Sequence, residues 1–259
     1  MKGTRGVYAL CFFYILLIGQ LVLWALSPRL VYPEIISSEF LDFSFSEYSN
    51  LFMELLFGFR ESFQILIGVI IVNLCTMIPI AYFLAKKDDP LLNKLSLLLY
   101  FPLMAPALLP ALGLYDLFID LDFLGTKLGV ILVQSSFLYP YMLRPIEISL
   151  RESHFKYERI AYDIGEGRVR TFFKVTLPNL ISPISFGMFL TLVGSFNDYI
   201  VTFLIGDTQI KTLPIILYPL MLSDNRSSSS IAVIMYCIPI ILLVLLINRS
   251  KRFKTNAGD

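Results

Sequence analysis

Six separate stretches of this chain are apolar for about as long as a lipid bilayer is thick, and that constrains the fold more than any single motif. They cover residues 7–26, 62–85, 95–117, 128–143, 181–205 and 231–247. A hydrocarbon core about 30 Å thick needs roughly 20 apolar residues of helix. Backbone amides in hydrocarbon must also be satisfied internally, which leaves helices or closed barrels. Runs of this length predict an all-α membrane protein with six transmembrane helices, residues 1–259 forming a single transmembrane domain. The composition agrees: 56% of the 259 residues are hydrophobic and 16% charged, with a mean hydropathy of +0.72. A net charge of +1 gives no reason to expect a nucleic-acid partner. The first stretch follows Lys2 and Arg5, is longer than a signal-peptide core and has no A-x-A-like site after it, so it is expected to remain as the first helix.

Lys and Arg set the orientation. With the N-terminus inside, Arg29, Arg60, Lys127, Lys211 and Arg226 fall outside and every other Lys and Arg falls on the cytoplasmic side. Both termini are then cytoplasmic. The outer segment 27–61 reads as a surface cap, with residues 51–59 as a short interfacial helix. Cys11, Cys75 and Cys237 sit singly in apolar runs and read as buried small residues.

The longest inner loop, 144–180, alternates apolar and charged residues at helical spacing, so it is expected to be ordered. Tyr157, Ile160, Ala161 and Ile164 stand at i, i+3, i+4 and i+7, an apolar stripe suited to packing on the membrane helices, while Glu158, Arg159 and Tyr162 point elsewhere. Gly165 is the expected helix stop. A second short helix is expected over 168–175, ended by Leu177-Pro178. A helix, a glycine turn and a helix on the inner face make a unit suited to docking a cytoplasmic partner.

The sequence Tyr157-Glu158-Arg159-Ile160-Ala161-Tyr162-Asp163-Ile164-Gly165, followed by Phe172-Phe173-Lys174-Val175-Thr176-Leu177-Pro178, resembles the EAA loop of type I ABC importer permeases. Residues 78–85 and the series Pro102, Pro106, Pro110 and Gly113 resemble that family's second and third core helices, so the likeness covers most of the chain. Two departures stand out: Arg159 and Ile160 occupy positions where Glu and Ala are usual, and Gln134 stands where many relatives have His. The resemblance implies a loop that forms coupling helices seated in a groove of an ATPase. Its residues Glu158, Arg159, Ile160, Ala161, Asp163, Gly165, Arg168, Leu177 and Pro178 would carry energy transmission. It also implies a cytoplasmic ABC ATPase dimer, a second permease subunit (identical or homologous), an external solute-binding protein, and residence in a bacterial-type inner membrane. A similarity of residues 195–206 and Thr212-Leu213-Pro214 to spermidine/putrescine permeases makes a polyamine or another small organic cation the first expectation for the solute.

No G-x-x-x-x-G-K-[ST] loop is present, so this chain is expected to be a transport subunit and not an enzyme, with ATP and Mg on the partner ATPase. His154 is the single histidine, and nothing at ligand or catalytic spacing surrounds it. No metal site and no catalytic set are expected. An ion-coupled secondary transporter is the alternative; it should carry several ionisable residues at mid-membrane, where this sequence offers Asp198. Asp198 lies 17 residues past Ile181, about 25 Å along a helix. It is read, with Asn197, Pro106 and Pro110, as a candidate for the translocation path. The prolines at 102, 106 and 110 share a helix face and are expected to bend it.

Overall fold

The computed structural model describes residues 45–86, 96–104 and 106–222, together with Phe12, Phe13, Leu16, Gly19 and Gln20. The expected last stretch, 231–247, and nearly all of the first lie outside the described residues. Every regular element among the described residues is helical. The chain divides into two compact units, Glu61–Ile210 and a second made of Met1–Arg60 with Lys211–Asp259.

Helix α1 runs over Phe45–Lys86 with Pro79 inside it. The expected interfacial helix at 51–59 is therefore no separate element but the outer part of α1. Within the terminal unit, Gly58 allows α1 to meet a short helix that ends up here as the last of the series, Leu213–Leu222. A Cβ at Gly58 would lie 2.5 Å from Ile216 Cδ1 and 3.2 Å from Leu213 N.

In the larger unit, the expected third stretch is broken. A helical turn at Ser96–Leu103, 3-10 over Phe101–Leu103, and helix α2 at Leu108–Asp120 meet at 95°. Prolines four residues apart each remove a backbone donor and crowd the carbonyl four residues earlier, so the run cannot continue as one helix. Helix α3, Lys127–Ser149, begins at Thr126, whose hydroxyl accepts from the Gly129 amide at 3.0 Å. It ends in a π segment, Leu150–His154. Helix α4 follows at Phe155–Asp163 and α5 at Arg168–Thr171, then a second π segment at Phe172–Thr176 and helix α6 at Leu177–Asn197.

Leu177-Pro178 thus opens α6 instead of closing the preceding helix. Pro178 sits in the first turn of α6, where a missing N–H is tolerated, and the wider π turn before it absorbs the lost bond. The expected fifth stretch is also interrupted: α6 stops at Asn197, Asp198 is extended, and helix α7 covers Ile200–Ile205. Leu213–Leu222 is α8.

Helix α3 is the axis of the larger unit. Its first half (Val130, Val133, Phe137, Leu138) packs with Ile65 and Val69 of α1, Ala111 and Phe118 of α2, and Val201 and Ile205 of α7. Its second half (Met142, Leu143, Ile146) packs, with Leu150, against Met77, Ala81 and Leu84 of α1 and Leu180 of α6. Lipid tails are as apolar as leucine, so helices in a membrane associate through close packing, which small residues permit. Gly187 and Gly194 serve this purpose on α6. A Cβ at Gly187 would stand 3.1 Å from both Met142 Cα and Tyr141 O, and one at Gly194 would be 2.5 Å from Leu138 Cδ2.

Two described helices are long and apolar enough to cross a membrane, Leu51–Lys86 and Arg168–Asn197, or three if the bent pair counts as one. Helix α3 is less apolar because its neighbours enclose it: Gln134, Ser135 and Glu147 are all buried.

Candidate functional site

Helix α4 ends as its sequence requires. Gly165 has φ +87°, its amide donates to Tyr162 O at 2.9 Å, and the Glu166 amide donates to Ala161 O at 3.0 Å. These two bonds form a Schellman motif, which needs a left-handed residue at that position. Gly165 supplies it without strain.

The orientation of α4 reverses the expected one. Tyr157, Ile160 and Ile164 are 53%, 51% and 76% exposed, whereas Glu158 is buried. Ala161 is the one member of the apolar stripe that turns inward. Val169 and Phe173 continue the exposed apolar surface beyond the turn. Arg159, Asp163, Gly165 and Arg168 share this exposure; Leu177 is half-buried and Pro178 exposed. Five apolar side chains thus stand outward among charges on a short, rigid helix–turn–helix, an arrangement characteristic of an interaction surface.

What holds the unit inward is Glu158. Its carboxylate accepts from Tyr82 Oη at 2.8 Å and from Thr176 Oγ1. Tyr82 in turn sets its ring edge-on to Phe172, centroids 6.4 Å apart, and lies under Lys86 Nζ at 5.3 Å. A buried carboxylate is costly unless its oxygens are bonded, and here α1 and the second π segment supply the donors.

A second buried carboxylate, Glu147, lies where α3 approaches the loop. It accepts from Tyr100 Oη, pairs with Arg151 Nε at 3.0 Å and has Arg144 Nη1 at 3.6 Å. Arg151 also donates to Leu84 O at 3.1 Å, and Arg144 stands over the Tyr100 ring at 5.0 Å.

Farther along α3, Gln134 is the centre of a third polar group. Its amide nitrogen donates to Asp198 Oδ2 at 2.8 Å and to Thr202 Oγ1 at 3.1 Å, and its carbonyl accepts from Ser195 Oγ at 2.7 Å. Thr202 Oγ1 donates to Asp198 Oδ2 at 3.0 Å, and the Val201 amide donates to Asp198 Oδ1 at 3.1 Å. Asp198 is buried and caps α7. Asn197 is exposed and donates to Val193 O of its own helix. Pro106 precedes α2 and Pro110 lies in its first turn. The structure therefore joins Asp198 to Gln134 and not to Asn197.

Sequence reasoning did not assign Tyr82, Thr176 or Glu147 a role. For Glu147 a signal exists: an acidic residue in an apolar helix with Arg three residues before and four after. Tyr82 and Thr176 carry no such signal, because their partners are remote in sequence. Among the described residues no group of His, Cys, Asp and Glu has the geometry to hold a metal ion.

With this geometry in hand, likeness to known proteins gives it a context. The family of binding-protein-dependent transport system inner membrane components matches residues 52–253. The molybdenum transport system permease protein ModB of Haemophilus influenzae is 25% identical over 76% of this chain and 94% of its own length. The Escherichia coli K12 protein of the same name is 28% identical over 65% of this chain and 80% of its own. A spermidine/putrescine transport system permease protein PotC homolog of Mycoplasma genitalium is 30% identical over 60% of this chain and 56% of its own. The crystal structure of a bacterial ABC transporter that imports the acidic polysaccharide alginate shares the fold, with a TM-score of 0.68 over 96% of this chain and 94% of that one at 17% identity. A match over most of the chain, an all-helical fold and apolar helices of membrane length together show that this chain belongs to the binding-protein-dependent transport system inner membrane components, the permease subunits of type I ABC importers.

Proposed function

We propose that this chain crosses the inner membrane six times with both termini in the cytoplasm, pairs with a second permease, and takes up an ATPase dimer at the surface of α4 and α5. The exposed apolar row Tyr157, Ile160 and Ile164, held on a rigid unit within the loop richest in Lys and Arg, is the observation that carries this reading. A solvated loop would gain nothing from leaving such side chains uncovered, whereas a groove on a partner would bury them. ATP and Mg belong to that partner. Closure of the ATPases would displace the unit and rock the spans between inward-open and outward-open states, while an external binding protein delivers the solute.

Co-purification tests the partner and labelling tests the topology. The chain should retain its ATPase stoichiometrically. An impermeant thiol reagent added outside should modify single cysteines placed at 207–211 and spare those placed at 157–174 until the membrane is opened. The opposite labelling pattern would overturn the reading.

For the solute, the expectation of a polyamine or another small organic cation rests on Asp198. Its oxygens are engaged by Gln134, Thr202 and the Val201 amide, so a cation meets the charge only after that network opens. The relatives name two chemistries, polyamine and molybdenum. Titration of the cognate external binding protein with spermidine and with molybdate separates them: spermidine binding supports the cation, and molybdate binding alone removes it.

A further inference from the structure

The coupling unit is bounded on each side by a π segment, Leu150–His154 before α4 and Phe172–Thr176 after α5. Such segments are rare in helices and recur at functional sites. Beside each of them a buried carboxylate meets a tyrosine that comes from another part of the bundle: Glu147 with Tyr100 near the first, Glu158 with Tyr82 near the second. Both carboxylates are 2% exposed. Neither pair reaches the outward face of Tyr157, Ile160 and Ile164, so neither is placed to touch an ATPase seated on that face.

The two pairs differ in their remaining partners. Glu147 is flanked by Arg144 and Arg151, and Arg151 ties the same cluster to the last turns of α1 through Leu84 O. Glu158 has the hydroxyl of Thr176, which fastens α4 to the second π segment itself. Between them they connect the coupling unit to α1, to the broken third stretch and to the start of α6.

We propose that Tyr82–Glu158 and Tyr100–Glu147 are two clasps that transmit displacement of the coupling unit into the membrane helices, the π segments being the places where the chain turns. These are positioning residues, and the inference rests on α4 and α5 being the ATPase surface. A carboxylate–hydroxyl bond inside the fold is short and directional, so it passes on a push that apolar contacts alone would let slip. A unit without its clasps would still dock, and would move without the helices following.

The test uses the full chain with its ATPase in nanodiscs, Cys11, Cys75 and Cys237 replaced by serine, and spin labels at Gly113→Cys and Gly167→Cys. Neither position has an atom within 4 Å of an added Cβ. The probe is ATP with Mg, which changes the label separation in the parent complex. Tyr82→Phe with Tyr100→Phe keeps both rings and removes both donors. The double variant should hold the ATPase at parental stoichiometry and hydrolyse ATP within twofold of the parent, while its ATP-dependent change in separation falls to less than half. Adding Glu158→Gln to Tyr82→Phe should cause no further loss, because both changes break the same bond. An undiminished change in the double variant overturns the clasps, and so does loss of the ATPase from it, which would make the tyrosines docking residues. A parent complex that never retains an ATPase refutes the coupling reading itself, a distinct result.

Discussion

Helix α3 buries Gln134, Ser135 and Glu147, whereas α4, a few residues farther along the same chain, leaves Tyr157, Ile160 and Ile164 uncovered. On α3 the polar groups are inside because α1, α2, α6 and α7 surround it and offer partners. On α4 the apolar groups are outside because the inward side is taken by a carboxylate that α1 and the second π segment satisfy. A hydrophobic stripe on a short helix therefore does not reveal which way the helix faces. That depends on whether the fold offers donors to its charged residue. A substitution on α3 should cost the fold, and one on the outer face of α4 should cost the partner.

The largest effect is expected at Gln134. Gln134→Leu leaves Asp198 short of a donor and Ser195 without its acceptor. The loss should be about 3 kcal/mol, read as a lower Tm of the purified subunit in detergent. Gln134→His, which keeps a ring N–H for Asp198, should lose less. A Gln134→Leu subunit as stable as the parent would break the comparison at its buried end.

Gly165→Val should have an intermediate effect. Space is open around the site, but φ is +87°, so the cost is backbone strain of about 1–2 kcal/mol. Its consequence should be local: the turn between α4 and α5 loosens, ATP hydrolysis continues, and solute uptake per ATP falls. Membrane insertion should be normal, and wild-type uptake at normal expression would remove the turn from the mechanism.

The smallest effect on the fold is expected at Ile160. Ile160→Asp on the exposed face should alter stability by no more than about 0.5 kcal/mol while lowering retention of the ATPase at least tenfold. A large fall in Tm with the ATPase retained would mean that the stripe faces inward after all.

Much of the fold was legible from the chain. Apolar runs located α1 and α6, and Gly165 located the end of α4, because both signals are local. The breaks were less legible. Asp198 interrupts the fifth stretch by capping α7 with its own side chain, and composition cannot distinguish an aspartate inside a helix from one that restarts it. The packing direction of α4 was misread because it depends on Tyr82, which lies 76 residues from Glu158. The apolar stripe itself was correctly located, and only its neighbours decide what it faces.

The π segment at Phe172–Thr176 also has a consequence for how this gene can change. In a helix each residue turns the chain by about 100°, so removing one codon there would convert the wide turn to an ordinary one and rotate everything after it by that amount. Gly187 and Gly194 would swing away from Met142 and Leu138, and larger side chains would take their place against α3. Point substitutions in the segment leave the register intact, whereas a single-residue deletion does not. The segment should therefore tolerate exchange at exposed positions such as Phe173 and Lys174 and reject any change in length.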